Sequence, residues 1–427
     1  MNYFHVDAVS IIMVSLIWFV FISIVAFSKN YLSGDKKQTQ FYINLIALVI
    51  SSSVLVSANH LAIFFASWCC SNLFLTLLMG HKLKWKQAKQ SAILAGKNFL
   101  TGAVAIGIAF FLLYKTTGSL FIEQIIQTQV HPLPLFLLLV GAMTQSALWP
   151  FHKWLLSSLN SPTPVSAIMH AGLINGGGFL LIRFAPLFIQ HPAALTTIFV
   201  LGMITAIIGG FFQLIQTDIK RLLACSTMGQ MGFMIAQCGL GLFPAAVAHL
   251  FWHGLFKAYL FLASGSAAQR KRIQYCAPTA FEFFFALLCG IGGSWIFTQI
   301  NHIDFLTTDS NLVLIALLIM TGIQSSLPLV KKNKISAVLG ALSVGIAYGY
   351  SVLIIEHFLL PMNLQHPQPL NVVHCIGMLL LILGWLFVLF EKYKTNAPWM
   401  LRLYVFMINK SQPNKKTITA HRNQYQC

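Results

Sequence analysis

Acidic side chains are scarce in this chain of 427 residues: Asp and Glu number 9 against 27 Lys and Arg, and charged residues of either sign make up 8%. With 57% hydrophobic residues and a mean hydropathy of +0.76, there is too little polar surface for a water-soluble fold of this size. No stretch is left over for a soluble catalytic domain. The 8 cysteines include no CxxC pair and fall mostly inside apolar stretches, which argues against a metal knuckle or a disulfide framework. No low-complexity tract is present. Nothing basic precedes the first apolar run, Ala8 to Ser28, and no small-residue cleavage pattern follows it, so it reads as a retained helix and not a secretory signal.

Long hydrophobic runs recur along the whole chain. Each covers roughly 18 to 25 residues, enough at about 1.5 Å per residue to cross a hydrocarbon core of about 30 Å. They fall at 8–29, 41–59, 61–80, 93–115, 133–151, 164–187, 193–216, 220–240, 243–267, 277–299, 311–329, 335–359 and 371–390. The expected fold is therefore an all-α, polytopic membrane bundle of about thirteen transmembrane helices. Residues 1–390 form the transmembrane domain and residues 391–427 a basic cytoplasmic tail, read as a short interfacial helix followed by a mobile end. Leu120 to Gln129 reads as an amphipathic surface helix.

The net charge of +18 does not point to nucleic acid, because the basic residues sit in short clusters between the apolar runs. Following the chain alternately through the bilayer gathers Lys36, Lys37, the Lys82–Lys89 cluster, Lys153, Lys220, Arg221, Arg270, Lys271, Arg272, Lys331, Lys332 and Lys334 on one side. The positive-inside rule makes that side cytoplasmic and the N-terminus external.

Two spans contain sequence that a simple helix tolerates poorly. One runs Ser161-Pro162-Thr163-Pro164 to His170 and on to Asn175-Gly176-Gly177-Gly178; the other runs Gln216-Thr217-Asp218-Ile219-Lys220 to Ser226-Thr227-Met228-Gly229-Gln230. Proline removes a backbone donor and glycine weakens a helix interior, so both stretches predict discontinuous helices of the kind that bind ions in transporters. The alternative is that the glycines only let neighbouring helices approach closely.

The ionisable residues of most interest lie in Ala246 to Leu260, where His249, His253 and Lys257 recur every four residues on one helical stripe among apolar neighbours. A charged lysine at the bilayer centre costs at least about 2.5 to 3.5 kcal/mol and needs a counter-charge, a wet cavity or a function. Imidazole accepts a proton on one nitrogen while donating from the other, so the three groups together read as a proton relay. Against this, Lys257 would snorkel to the membrane edge and the histidines would bond to backbone carbonyls; three groups in register favour the relay. His170, in the first broken span, is a candidate connecting group. Asp218, beside Lys220 and Arg221, ranks lower, as a helix cap or structural ion pair. Lys97 and Arg183 sit near helix ends, where snorkelling suffices.

Ser146 to Trp154 (SALWPFHKW), Ser161 to His170 (SPTPVSAIMH), Asp218 to Gln230 (DIKRLLACSTMGQ) and His249 to Ser264 (HLFWHGLFKAYLFLAS) resemble the antiporter-like subunits of respiratory complex I and of multisubunit cation/proton antiporters, from about Phe4 to Lys271. The resemblance implies an antiporter-like fold, and it places His170, His249, His253 and Lys257 on a central proton-conducting axis. The chain departs from that pattern at Trp68-Cys69-Cys70, where the family has a glutamate after the tryptophan, and at Gln145, where it has a lysine; an input half-channel built on a Glu/Lys pair is in question. Phe4-His5-Val6-Asp7, Trp154 to Asn160 and Met169 to Asn175 look most like the DabB family, membrane subunits of bacterial inorganic-carbon accumulation complexes.

That resemblance implies a bacterial inner-membrane protein working with a cytoplasmic DabA-like partner similar to a zinc-dependent β-carbonic anhydrase. Flow of H⁺ or Na⁺ would drive hydration of CO2 to bicarbonate there. The chain itself is expected to be no enzyme and to hold no cofactor, zinc belonging to the partner. The alternatives are a proton-pumping subunit of an NADH dehydrogenase, hydrogenase-type or antiporter complex, and an inert membrane anchor.

Overall fold

In the computed structural model, which describes residues 2–265, 277–390 and 398–418, all regular secondary structure is helical. The described residues divide into two units. The first comprises residues 2–236, 249–265 and 405–418, and the second residues 237–248, 277–390 and 398–404.

Four long helices open the first unit: α1 (Ala8–Tyr31), α2 (Gln38–Ser57), α3 (Leu61–Met79) and α4 (Lys86–Thr117). Asp7 starts α1 by accepting the Ser10 N–H at 2.8 Å, which satisfies one of the donors a helix N-terminus leaves free. Each of the four buries one stripe and turns the rest outward. On α2, Phe41, Leu45 and Leu48 are buried while Ile43, Ile46 and Ile50 are exposed. An outer surface of large aliphatic side chains is what a lipid solvent selects.

After α4 come a single turn α5 (Ile122–Ile125), α6 (Pro132–Gln145) and a short α7 (Lys153–Leu156). A discontinuous span follows, α8 (Thr163–Ala171) and α9 (Gly176–Arg183), and then α10 (Ala185–Ile189) and α11 (Pro192–Leu214). The next two helices, α12 (Ile219–Gly239) and α13 (Phe243–Leu262), contribute most of their length to the first unit, with residues 237–248 assigned to the second. The second unit is built on α14 (Ala280–Ile300), α15 (Asn311–Val330), α16 (Lys334–Leu359) and α17 (Val372–Leu389). Gly293 allows α14 to touch α16, since a Cβ there would lie 2.7 Å from the Ala341 carbonyl oxygen. Among the residues of α17, only His374 is buried, and Trp385 fastens the helix to α15 by donating to Gln324 at 2.9 Å. Last comes α18 (Pro398–Ser411).

Among the described residues, 11 helical spans are long and apolar enough to cross a membrane, α8 and α9 counting as one. Adding α6, which is short, and α12, which begins with Lys220 and Arg221, gives the thirteen that the hydrophobic runs predict.

Three expectations need correction. The amphipathic surface helix at Leu120 to Gln129 shrinks to α5, whose Ile122 and Ile125 are buried because Asn59 fastens the turn: its carbonyl accepts the Ile122 N–H at 2.8 Å and its Oδ1 the Glu123 N–H at 3.1 Å. The described residues that follow α18, up to 418, are docked, and the end of the tail, residues 419–427, lies outside the described residues. Ser411 Oγ accepts from Gln216 at 3.0 Å, Ser157 Oγ accepts the Asn414 N–H at 3.0 Å, and the Thr417 carbonyl accepts from Asn160 at 2.9 Å, polar pairings that apolar periodicity cannot signal. These contacts place residues 411–418 at the same end of the first unit as Arg221, which donates to Gln412. Finally, α12 is continuous where a break was expected. Its glycines serve contact with α11: a Cβ on Gly229 would lie 3.3 Å from Gly210 N, and one on Gly232 2.5 Å from Ala206 N. Arg270, Lys271 and Arg272 lie outside the described residues.

Between α1 and α2, Asp35 accepts the Lys37 N–H at 2.8 Å and pairs with His81 Nε2 at 3.1 Å. The Lys37 bond, chiefly, holds the carboxyl below the usual carboxylate range. A folded-state value below the unfolded one means this carboxylate stabilises the fold above the unfolded pKa, and loses that contribution as pH falls through the folded value. Asp35→Asn should therefore lower the thermal midpoint in detergent at pH 7, and the gap to wild type should close by pH 3.

Candidate functional site: an inward-facing amine and imidazole stripe beside a broken helix

The break between α8 and α9 comes where the sequence predicts it. The α-helix stops at Ala171, Gly172 takes φ −112° and ψ −80°, and Leu173 to Asn175 form a turn of 3-10 helix before α9 begins. Unwinding frees carbonyls at membrane depth that lipid cannot satisfy. Side chains take them instead. Gln145 Nε2 donates to the Leu173 carbonyl at 3.1 Å, Ser146 Oγ to Ile174 at 2.7 Å, and Asn175 Nδ2 to Ala171 at 2.8 Å. The glycines contribute separately, by close approach. A Cβ on Gly177 would lie 2.3 Å from the Ala142 carbonyl oxygen, and one on Gly178 2.3 Å from Met234 Cε. The break and the close approach therefore occur together in this motif.

On α13, Trp252, Phe256 and Tyr259 are 49%, 59% and 63% exposed, whereas His253 and Lys257 are 6% and 1% exposed. The stripe thus faces the interior of the first unit, and Lys257 does not snorkel. Its Nζ donates to the Leu223 carbonyl of α12 at 3.3 Å. His249 is half-buried, its ring 5.3 Å from Phe233 and 6.2 Å from His253 between centroids. Among the described residues, neither ring nitrogen of His253 has a hydrogen-bond partner, and Asn175 Oδ1 is likewise buried and unpaired. Gly254 lets α13 approach the break, a Cβ there falling 2.8 Å from the Ala171 carbonyl oxygen. Buried polar atoms of this kind call for internal water, which is also the medium a proton relay needs.

His170, 1% exposed, stacks on Phe261 of α13 at 4.2 Å, and its Nδ1 lies 3.0 Å from Thr227 Oγ1 of α12. His170 and Lys257 thus both reach α12, at Thr227 and at the Leu223 carbonyl one turn away. Asp218 stays at the end of α12, its carboxylate accepting the Arg221 N–H at 2.9 Å as a helix cap, with Lys220 partly buried beside it.

Gln145 is buried and donates to Asn72 Oδ1 at 3.0 Å as well as to Leu173. A neutral amide pair therefore occupies this place. The cavity next to it, lined by Trp68, Ser71, Gln145, Gly172 and Gly176 among mostly aliphatic residues, has no ionisable side chain in its wall. Cys69 and Cys70 are free thiols, half-buried and exposed.

Arg183 corrects the snorkelling expectation. It is 7% exposed, forms an ion pair with Asp7, and donates to Ser10 Oγ at 2.9 Å and the Val56 carbonyl at 2.7 Å. Sequence reasoning also passed over Thr227, Asn72 and Asn175. Thr227 and Asn175 were visible only as parts of the two irregular motifs, and Asn72 carried no signal.

A helical membrane bundle with one span unwound at depth, packed against an inward-turned amine and imidazole stripe, defines an antiporter-like membrane protein. Residues 58–280, which contain all four sequence motifs, match the family described as NADH:quinone oxidoreductase/Mrp antiporter, TM, and the chain belongs to that family. It is 35% identical over 280 residues to the probable inorganic carbon transporter subunit DabB1 of Halothiobacillus neapolitanus, covering 63% of this chain and 50% of that protein. It is 34% identical over 282 residues to the probable inorganic carbon transporter subunit DabB of Bacillus subtilis, covering 63% and 55%. NADH-quinone oxidoreductase subunit L of Escherichia coli is 33% identical over 270 residues, covering 61% and 44%. The chain spans about half the length of the curated relatives it matches. A solved structure of the Mrp complex from Dietzia sp. aligns with 95% of this chain and 48% of its own at a TM-score of 0.58 and 20% identity, a likeness of fold.

Proposed function

We propose that this chain is the cation-conducting membrane subunit of a two-component inorganic-carbon pump, and that Lys257 is its switching proton carrier. The observation that carries the proposal is the burial of Lys257 on an interior stripe with His253, against the broken α8–α9 span. A protonated amine there bears a charge in a low-dielectric site, so it is poised to pass the proton on and return to the neutral form. His253 and His249 relay protons along α13 through internal water, and His170 connects this stripe to α12. Gln145, Asp218 and Lys220 take no direct part in the carrier step: the first belongs to a neutral pair and the other two sit at the membrane edge.

Similarity to two proteins named as probable inorganic carbon transporter subunits supports a role as one subunit of an inorganic-carbon transporter, and we add to it a partner that hydrates CO2. We assign that chemistry to a DabA-like cytoplasmic protein that holds zinc, with H⁺ or Na⁺ flow through this chain driving it in one direction. In this reading the protein lies in the bacterial inner membrane with its N-terminus outside and its basic tail in the cytoplasm, and the basic end of the first unit is where the partner docks.

The test is growth in ambient air of a bacterium lacking carbonic anhydrase. Expression of this chain with its carbonic-anhydrase-like partner should rescue growth, and either component alone, or an uncoupler, should remove the rescue. Rescue without the partner would defeat the pump. If instead the gene travels with redox subunits and its loss reduces proton pumping by a quinone reductase, the respiratory reading, favoured by the similarity to subunit L, replaces it.

A further inference from the structure

A single backbone carbonyl on α12 is claimed by more donors than it can serve. Helical geometry directs the Thr227 N–H at the Leu223 carbonyl. The Thr227 hydroxyl donates to the same oxygen at 2.9 Å, and Lys257 Nζ approaches it at 3.3 Å. A carbonyl oxygen has two lone pairs. The backbone bond is fixed by the helix, so hydroxyl and amine compete for the second position. Among the described residues, the hydroxyl has an alternative in His170 Nδ1 at 3.0 Å.

We propose that Thr227 is a positioning residue that ties the charge on Lys257 to the tautomer of His170; this rests on Lys257 being the proton carrier. When Lys257 is neutral, the hydroxyl donates to Leu223 and accepts from His170 Nδ1–H. When Lys257 is protonated, the ammonium is the stronger donor, because charge-assisted bonds are roughly twice as strong as neutral ones, and it takes the carbonyl. The hydroxyl hydrogen then turns to His170 Nδ1, which must be bare, so the proton of that imidazole sits on Nε2. The hydroxyl keeps its own hydrogen throughout; when Lys257 gains charge, His170 gives its Nδ1 proton to internal water and takes one from water at Nε2, and the exchange reverses when Lys257 returns to neutral. The result is that the edge on which His170 carries its proton follows the charge on Lys257. The i to i−4 bond of a threonine inside a helix is common and ordinarily inert. Here its acceptor is shared with a buried amine and its oxygen is shared with a buried imidazole.

The test uses membrane vesicles from the native host carrying chromosomal alleles, so that the chain keeps whatever partners it has. Thr227→Val preserves shape and removes the hydroxyl, whereas Thr227→Ser preserves the hydroxyl. Proton flux should fall at least tenfold in Thr227→Val and stay within about twofold of wild type in Thr227→Ser. Nitrogen-15 NMR of labelled histidine should show His170 in different tautomers in wild type and in Lys257→Met, and in one tautomer regardless of residue 257 when Thr227→Val is also present. Equal loss in the valine and serine variants would reduce Thr227 to packing, and flux unchanged by Thr227→Val would overturn the proposal outright. Flux that survives Lys257→Met removes the carrier reading instead, an outcome distinct from either failure of Thr227.

Discussion

Lys257→Ala is expected to reduce cation-coupled activity by about two orders of magnitude while leaving the protein at least as stable as wild type. The first half follows from the cost of carrying charge through a bilayer: with the amine gone, a proton crossing this region loses a site worth about 3 kcal/mol, and each 1.36 kcal/mol is about tenfold in rate. The second half follows from the surroundings of the amine. Lys257 is 1% exposed, and its hydrogen-bond acceptor is a carbonyl already engaged by the helix and by Thr227. No carboxylate among the described residues forms an ion pair with it. Removing a poorly compensated buried amine relieves desolvation, so thermal unfolding in detergent should show an unchanged or raised midpoint. Activity and stability moving in opposite directions would mark a residue kept for function. A stable variant with full activity would make the stripe inert and return the chain to the role of an anchor, whereas a large loss of stability would make Lys257 a structural residue.

The largest loss of stability is expected elsewhere, at the buried ion pair of Arg183 and Asp7. One guanidinium at the end of α9 reaches the carboxylate that caps α1, the Ser10 hydroxyl and the Val56 carbonyl at the end of α2, so it fastens three helices. Truncating one partner strands the other as an uncompensated charge, at a cost of about 3 to 5 kcal/mol. Arg183→Ala and Asp7→Asn should each lower the thermal midpoint sharply. The double replacement Asp7→Leu with Arg183→Leu should recover much of the loss, because it leaves no orphan charge. If the double variant falls by the sum of the single ones, the pair is not coupled and its burial has another cause.

Hydropathy made the helices legible because a bilayer imposes one rule on every span, a run of apolar residues of sufficient length. The ionisable stripe was legible for the same reason, since three polar groups at helical spacing stand out against leucine and phenylalanine. What escaped depends on partners distant in sequence. Arg183 looks like a snorkelling residue until Asp7, 176 positions earlier, is brought to it. The run Ser226 to Gln230 looks like a break because Gly229 weakens a helix in isolation, yet Gly229 and, just beyond the run, Gly232 let α11 approach. Thr227 is unremarkable by type; only the shared Leu223 carbonyl sets it apart. Gln145 was noticed as a departure, but that it meets Asn72 was not, because a neutral amide gives no signal of its partner.

The docked segment at residues 411–418 also bears on how the chain is built. Asn160 finds its acceptor on Thr417, 257 positions downstream, and Gln216 meets Ser411 after 195. At about 5 to 20 residues per second of synthesis, Asn160 has only its earlier acceptor, Ser91, for roughly 13 to 50 seconds before Thr417 is made. That corner of the protein is consequently the last to close during biogenesis, and a ribosome that stalls before Ser411 leaves behind a bundle whose helices are inserted but whose seam is still open to proteases.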